Sequence, residues 1–222
     1  MENTTVVVTG AGGAIGGALA EAFADDGATV FAGVHADEGQ FADHDGVEPM
    51  RVDARDEFDV EYLMEDAAGT GEIDLVLPCA AVFHGDPGEQ RLADEGYAAF
   101  DDEYRTNARG VFVAIREALP HLADDARVLV PSGSVAEEAK SGYGGYAVSK
   151  AAAEAVARQF AAEIDQTVGV VDPGVVASDL TGGQGRDPAE VVGLFRWAAT
   201  ELGADELNGE RVGLAEWKRA TR

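Results

Sequence analysis

The sequence of 222 residues predicts an α/β fold, a single doubly wound parallel sheet of about seven strands flanked by helices. Short valine-rich runs alternate with helical stretches, at a spacing that leaves room for crossover helices. The runs are mostly apolar throughout, as strands are when both faces of a sheet are covered. No proline-rich linker, repeat or low-complexity block divides the chain, so residues 1–222 are predicted to form one domain.

Each element follows from this alternation. The predicted strands are Thr5–Thr9, Thr29–Gly33, Pro49–Val52, Asp74–Leu77, Arg127–Val130, Gly169–Asp172 and Glu210–Leu214. The predicted helices are Gly16–Asp25, Glu57–Ala68, Phe100–Leu119, Tyr146–Ile164 and Pro188–Leu202. Doubly wound sheets bind ligands beyond the carboxyl ends of the strands, where strand order reverses. We therefore expect functional residues directly after the first, fourth, fifth and sixth strands.

The charge balance excludes several kinds of partner. Sixteen Lys and Arg residues stand against 42 Asp and Glu residues, which gives a net charge of −26. Such a surface repels phosphate backbones and anionic lipids, so neither nucleic acid nor a membrane is an expected partner. The first residues lack the features of a signal peptide, and we expect a cytoplasmic protein. One cysteine and four scattered histidines give no metal-ligand spacing, so no metal is expected.

A glycine-rich turn follows the first predicted strand, with the spacing G-x-G-x-x-x-G. Glycines permit a sharp turn, close approach of a pyrophosphate and close packing of the next helix, whose N-terminus offers amide donors. A small-residue turn without a ligand is the alternative interpretation. No P-loop lysine follows, which excludes a nucleotide triphosphatase of that type. The predicted phosphate-binding residues are Gly10, Gly12, Gly13, Ile15 and Gly16.

Tyr146 and Lys150 open an alanine-rich helix, and their spacing of four places them on one face. A tyrosine base needs its pKa lowered by about 2–3 units, and an ammonium some 4 Å away supplies on the order of 4 kcal/mol at an effective dielectric constant of about 20. Lys150 is one of only three lysines, which favours a functional role over a solvated surface lysine. After the fifth strand, Ser134 is expected to donate a hydrogen bond to a carbonyl oxygen. Ser132 is the alternative donor, and a structural turn serine is the alternative role.

With the glycine turn, the serine and the tyrosine–lysine pair in this order, the sequence resembles the short-chain dehydrogenase/reductase family from Thr5 to about Leu214. The resemblance implies a Rossmann-like catalytic domain that transfers a hydride between a nicotinamide cofactor and a carbonyl or secondary alcohol. It implies that Tyr146 exchanges the oxygen-bound proton, that Lys150 lowers the pKa of Tyr146 and holds the nicotinamide ribose, and that Ser134 orients the substrate oxygen. Relatives pair through two long helices, which implies a homodimer or homotetramer.

Further positions match the family pattern. Asn107 resembles the asparagine that bends its helix and holds a water relaying protons to the lysine. One departure is clear, because Pro78-Cys79-Ala80-Ala81 stands where the family has N-N-A-G. The remaining cofactor positions that the resemblance implies are Asp53 and Ala54 at the adenine, Cys79, Ala80 and Ala81 after the fourth strand, and Pro173, Gly174, Val176 and Ser178 at the nicotinamide carboxamide.

The end of the second strand bears on the choice between NAD and NADP. An acid there binds the ribose 2′-hydroxyl of NAD, whereas a nearby base accommodates the 2′-phosphate of NADP. Val34 takes the place of the acid and His35 the place often held by arginine, so NADP is the expected cofactor. NAD is the alternative, with Asp37 and Glu38 as its ribose contacts.

Two other functions are weighed against a reductase of small carbonyl or alcohol substrates. The altered segment after the fourth strand suggests a non-catalytic dinucleotide-binding sensor or regulator. A sugar-nucleotide epimerase shares the tyrosine–lysine pair but needs a C-terminal substrate domain, and only about 45 residues follow Ser178. Near the substrate, His84 and Asp86 are candidates for the entrance, and the glycine-rich stretch from Ser178 to Pro188 is predicted to be a short flexible loop.

The acidic composition predicts a protein adapted to molar salt, although an ordinary acidic protein is the alternative. At about 1 M salt the Debye length is near 3 Å, so repulsion between surface carboxylates is largely screened. We therefore expect the free energy of unfolding to rise from dilute buffer to molar KCl. Urea unfolding at stepped KCl concentrations measures this, and undiminished stability in dilute buffer would contradict halophilic adaptation.

Overall fold

The computed structural model describes residues 1–36, 38–42 and 44–222 and contains the predicted doubly wound sheet. Seven parallel strands lie in the order β3-β2-β1-β4-β5-β6-β7. From β1 the chain first adds β2 and β3 on one side and then crosses to add β4 on the other side, so the strand order reverses at β1. The strands are β1 (Thr5–Thr9), β2 (Thr29–Val34), β3 (Val47–Arg51), β4 (Ile73–Pro78), β5 (Leu122–Pro131), β6 (Thr167–Asp172) and β7 (Arg211–Gly213). All seven predicted strands are confirmed, with β5 beginning five residues earlier than predicted.

Helices cover both faces of the sheet. They are α1 (Ala14–Asp25), α2 (Glu57–Ala68), α3 (Tyr97–Glu103), α4 (Gly110–Ala118), α5 (Gly144–Glu163), α6 (Ala189–Thr200) and two short C-terminal helices, α7 (Ala204–Leu207) and α8 (Leu214–Ala220). None of the helices in the described ranges is long and apolar enough to cross a membrane.

The central strand β1 shows why its sequence forms a strand at this place. Val6, Val7 and Val8 are fully buried, and successive side chains point to opposite faces. Val6 and Val8 belong to the core under α1 and α6, whereas Val7 belongs to the core under α2, α4 and α5. A continuous valine run therefore contributes to both cores, at about 1.5 kcal/mol or more for each buried side chain.

The predicted helix Phe100–Leu119 is not one regular helix. It divides into α3, a π-helical turn at Tyr104–Arg109, α4 and a 3-10 turn at Leu119–His121. A π-helical turn carries one extra residue, which changes the direction of the side chains within it. Asn107 lies in this π-helical turn.

Candidate active site

The predicted functional segments meet at the carboxyl edge of the sheet. The Cys79 amide, directly after β4, donates to the Thr9 carbonyl at 2.9 Å, and the Ser132 amide after β5 donates to the Val171 carbonyl of β6 at 2.9 Å. The segments that follow β1, β4, β5 and β6 are thus held side by side. This is the edge at which a doubly wound sheet binds its ligand.

The glycine turn after β1 is shaped by two close backbone approaches. Gly10 has a φ of +71°, and a Cβ atom on it would lie 2.4 Å from the Cα atom of Ala80. A Cβ on Gly16 would lie 2.4 Å from the Gly10 carbonyl oxygen. By contrast, a Cβ on Gly12 would meet nothing nearer than 3.8 Å. Gly10 and Gly16 are therefore needed for packing, whereas the space beside Gly12 is open.

The first turn of α1 fits the phosphates of a dinucleotide. Its N-cap, Gly13, supplies no side-chain cap, and the first turn carries no acidic residue. The amides of Ala14, Ile15 and Gly16 are therefore available to an anion, since the first amides of a helix have no partner within it. The Gly13 amide is used inside the turn, where it donates to the Gly10 carbonyl at 3.0 Å. A cavity of about 340 Å³ adjoins the turn, between Gln40 and the start of α6.

At the ribose end of this site, the structure places no acid at position 34. Val34 is buried, and its Cβ atom lies 4.0 Å from the position that a Cβ on Gly12 would take. His35 is exposed, with its Nε2 atom 3.9 Å from Asp53 Oδ2. The alternative ribose contacts proposed from the sequence, Asp37 and the Glu38 side chain, lie outside the described residues.

The Asp53 carboxylate is committed to a partner that the sequence did not indicate. Arg55 Nε donates to Asp53 Oδ1 at 2.9 Å and its second terminal nitrogen donates to Oδ2 at 2.8 Å, while Nη1 donates to Asp102 at 2.7 Å. This hydrogen bonding lowers the pKa of Asp53. If Asp53 contacts adenine, its carboxylate must therefore serve both adenine and Arg55. The series of hydrogen bonds continues from Arg55 to Asp102, whose carboxylate lies 2.8 Å from His84 Nε2.

Tyr146 and Lys150 lie in the first two turns of α5. Lys150 is buried, and its Nζ atom donates to the Pro131 carbonyl at the end of β5 at 2.7 Å. Burial lowers the pKa of Lys150 to about 8. Burial, and then the charges of Glu103 and Tyr143, raise the pKa of Tyr146 to about 12. The sequence-based expectation of a lowered tyrosine pKa is wrong for this arrangement, because burial of the phenol raises its pKa and the charges of Glu103 and Tyr143 act in the same direction.

The two candidate serines differ in their partners. The Ser132 hydroxyl donates to Glu154 Oε1 at 2.5 Å inside the protein, so this alternative donor is committed to a buried contact. Ser134 opens a 3-10 turn, and its Oγ atom accepts from Lys140 Nζ at 2.5 Å. Sequence reasoning missed Lys140, although the scarcity of lysine that pointed to Lys150 applied equally to it.

Asn107 anchors the segment after β4. Its Oδ1 atom accepts from the Val82 amide at 2.7 Å, and its Nδ2 atom donates to the Val82 carbonyl at 2.8 Å and to Ser149 Oγ at 2.9 Å. The next residue, Phe83, packs its ring on that of Tyr146 with 5.0 Å between centroids. Asn107 therefore positions this segment against α5, and its role in a proton relay stays a prediction.

The altered segment Pro78–Ala81 is compatible with the fold. Pro78 is the last residue of β4, where a missing amide is tolerated, and it pairs in register with Thr9. Cys79 packs against the core under α1 and α6, and burial raises the pKa of its thiol to about 12. A neutral thiol is a poor nucleophile, so Cys79 acts as a small apolar side chain.

The segment after β6 is held by several local hydrogen bonds. Gly174 has a φ of +72°, and its amide donates to Asp172 at 2.8 Å. The Ala177 amide donates to the Arg186 carbonyl at 2.8 Å, which brings Val176 and Arg186 together as a bridge. The Ser178 amide donates to Thr181 Oγ1 at 3.0 Å in a capping box. The predicted loop from Ser178 to Pro188 therefore contains a 3-10 turn at Asp179–Thr181 and hydrogen bonds of its own, and its flexibility stays a prediction.

Comparison with known proteins agrees with this geometry. The family profile described as enoyl-(acyl carrier protein) reductase matches residues 10–205. NADPH-dependent aldehyde reductase 2, chloroplastic, of Arabidopsis thaliana is 30% identical over 138 residues, a match that covers 59% of this chain and half of the relative's length. The cyclic-di-GMP-binding biofilm dispersal mediator protein of Escherichia coli is 26% identical over 218 residues, covering 88% of this chain and 89% of the relative. A solved dehydrogenase/reductase from Sinorhizobium meliloti superposes with a TM-score of 0.84 at 26% identity, over 96% of this chain and 94% of that chain.

Substituting the packed Gly10 and the open Gly12 should have two different effects, one on stability and one on dinucleotide binding. Gly10→Ala places a methyl group against the Ala80 backbone at a strained φ, and we expect it to lower the free energy of unfolding by about 2–4 kcal/mol. Gly12→Ala fills open space, so its stability should stay within about 0.5 kcal/mol of the wild type, while dinucleotide binding weakens about tenfold or more. Urea unfolding and fluorescence titration with NADPH measure the two effects. A Gly12→Ala variant that binds normally would exclude phosphate binding at this turn.

Proposed function

Because the chain belongs to the short-chain dehydrogenase/reductase family of oxidoreductases, we propose that it reduces a small carbonyl compound with a nicotinamide cofactor, using Tyr146, Lys150 and Ser134. The observation that carries this proposal is the burial of Lys150 one helical turn after Tyr146. A buried ammonium is disfavoured unless it is hydrogen-bonded, and this composition avoids lysine almost entirely. Lys150 is therefore best explained by its function.

The arrangement around Tyr146 favours the reductive direction. Since the pKa of Tyr146 is raised to about 12, its phenol carries a proton near neutral pH and can donate it to a carbonyl oxygen. Ser134 holds that oxygen. A hydroxyl has one proton and two acceptor lone pairs, and Lys140 fills an acceptor position, so the Ser134 proton remains free for the substrate. Bound at the carboxyl edge of the sheet, the cofactor would supply the hydride.

The residues proposed to hold the cofactor surround that edge. Lys150 is proposed to hold the nicotinamide ribose, and the first turn of α1 to hold the phosphates. His35 is proposed to lie beside the adenosine ribose. The other proposed contacts are Gly10, Gly12, Gly13, Ile15, Gly16, Asp53, Ala54, Cys79, Ala80, Ala81, Pro173, Gly174, Val176 and Ser178.

A nucleotide-binding regulator is the second candidate function. The relative from Escherichia coli is named for cyclic-di-GMP binding, and its match covers 89% of its own length against 50% for the aldehyde reductase. The altered Pro78–Ala81 segment also favours this candidate. The two functions are separated by one assay, a panel of aldehydes and ketones read by NADPH and NADH oxidation in molar KCl. A regulator would bind dinucleotide and turn over none of them.

We also propose a homodimer or homotetramer that forms through α4 and α5. Phe112 on α4 remains 39% exposed, although its ring packs on that of Phe160 of α5 with 5.9 Å between centroids. An apolar aromatic pair at the surface favours contact with another copy of the chain. Light scattering at molar KCl measures the subunit number.

The absence of an acid at position 34 predicts a preference for NADP. The exposed imidazole of His35 can donate to a 2′-phosphate, and we expect NADPH to bind about tenfold more tightly than NADH. His35→Ala should remove most of this preference and leave NADH binding unchanged. Dissociation constants from isothermal titration decide the matter, and tighter NADH binding would overturn the choice.

Replacing the proton donor tests the catalytic assignment. Tyr146→Phe should lower kcat for carbonyl reduction by about 10³-fold or more, because the phenol proton is lost while the ring still packs on Phe83. NADPH binding should stay close to the wild type. Tyr143→Phe is the matched control, since Tyr143 has no lysine four residues later. Wild-type turnover by Tyr146→Phe would show that another group donates the proton.

A further inference from the structure

Two carboxyl groups, one fully buried and one partly buried, lie beside the start of α5. Glu103, the last residue of α3, is fully buried, and its Oε1 atom accepts from the His84 amide at 2.8 Å. Glu95 reaches the same place from the segment before α3, and its Oε2 atom accepts from the Gly145 amide at 2.5 Å. The remaining oxygens, Glu95 Oε1 and Glu103 Oε2, are buried and have no hydrogen-bond partner among the described residues. Neither carboxyl group contacts the substrate or the cofactor in the proposed mechanism.

The two partnerless oxygens lie close to each other beside Gly145. A Cβ atom on Gly145 would lie 2.7 Å from Glu95 Oε1 and 2.8 Å from Glu103 Oε2. Two ionised carboxylates this close repel each other strongly away from water. One proton relieves the repulsion and satisfies both oxygens at once, because a protonated carboxyl donates and its neighbour accepts.

We propose that Glu95 and Glu103 share one proton, and that this shared proton makes them positioning residues for the first turn of α5 and for Tyr146. Through Glu95, the pair fixes the Gly145 amide, which immediately precedes Tyr146. Through Glu103, it fixes the His84 amide, which follows the Phe83 ring that packs on Tyr146. The two contacts that position the Tyr146 phenol, at the Gly145 amide and at the His84 amide, therefore depend on a single proton.

The surroundings favour a proton over a metal ion as the occupant. Among the described residues no group of three potential ligands surrounds a common point, and the two free oxygens would be the whole ligand set from these side chains. Burial, reinforced by the Glu95 carboxyl and opposed by the His84 amide, raises the pKa of Glu103 to about 7. The other titratable groups nearby are Tyr143, the residue before α5, Tyr146 on α5, and the His84 imidazole, which is paired with Asp102 rather than with the carboxyl pair.

The raised pKa gives a defined pH dependence. Between about pH 4.5 and 7 the folded protein keeps a proton that the unfolded chain has lost, so the free energy of unfolding falls as the pH rises through this window. Glu103→Gln cannot ionise, and its amide group can donate to Glu95 Oε1 while its oxygen accepts from His84. The variant should therefore lose this part of the pH dependence, and its Tm should exceed that of the wild type by about 3–8 °C at about pH 8.

The decisive test combines a direct titration with this variant. In wild-type protein labelled with ¹³C at the glutamate carboxyl carbons, one resonance should titrate near pH 7 and be absent from Glu103→Gln. Glu61→Gln, on the exposed face of α2, is the matched control and should leave both that resonance and the Tm profile unchanged. If every glutamate resonance titrates in the ordinary range near about 4.3, the shared proton does not exist. The wild-type titration gives this result even if the variant fails to fold.

Two further readouts separate the alternatives. Replacing KCl with tetramethylammonium chloride at equal concentration should leave the resonance near pH 7 unchanged, whereas loss of the wild-type stability on removal of K⁺ would assign the site to a cation.

The effect on Tyr146 rests on the proposed function. In Glu103→Gln the alkaline limb of kcat/KM for carbonyl reduction should move to lower pH by about one unit, since a carboxylate beside the phenol is removed. An unchanged alkaline limb would overturn the positioning role. A wild type without turnover would instead overturn the proposed function, and the ¹³C titration alone would then test the shared proton.

Discussion

The contact on which the site depends is the hydrogen bond from the Lys150 ammonium to the carbonyl at the end of β5. It ties the second turn of α5 to the sheet edge, and so it fixes the face of the helix that carries Tyr146. One turn further along, Glu154 is buried and accepts from Ser132 and from Arg211, which also pairs with Asp172. A buried cation is thus followed by a partly buried ion pair on the same face. Removing one member of such a pair leaves an uncompensated charge.

The opposite side of Tyr146 is built from the segment after β4. Gly10 lets β1 and this segment approach closely, and Asn107 holds both the amide and the carbonyl of Val82. The π-helical turn gives Asn107 its direction, which explains why a helix that could have been regular is interrupted there. The phenol is therefore enclosed by Phe83, by the buried Glu103 and by α5. Enclosure raises its pKa, so the phenol keeps its proton near neutral pH.

The sheet and the position of the site could be predicted because they depend on local patterns. Valine runs, the glycine turn and the spacing of Tyr146 and Lys150 are visible within a few residues of sequence. The partners of Asp53 and Ser134 could not be predicted in this way, because Arg55 and Lys140 compete for these side chains only after folding. The direction of the Tyr146 pKa shift was also predicted wrongly, because the burial of the phenol arises only after folding. Glu103 is distant in sequence, and a solvated carboxylate was the natural interpretation of every acid in so acidic a chain.

Lys150 is a buried cation at the centre of the site, and the small number of lysines makes its pKa directly measurable. In protein labelled with ¹⁵N at the lysine side chains, the resonance that disappears in Lys150→Met identifies this residue. Burial lowers the pKa of Lys150 to about 8, so the account predicts that this resonance titrates near that pH. A resonance that titrates near about 10.4, the ordinary value for a solvated lysine, would contradict it.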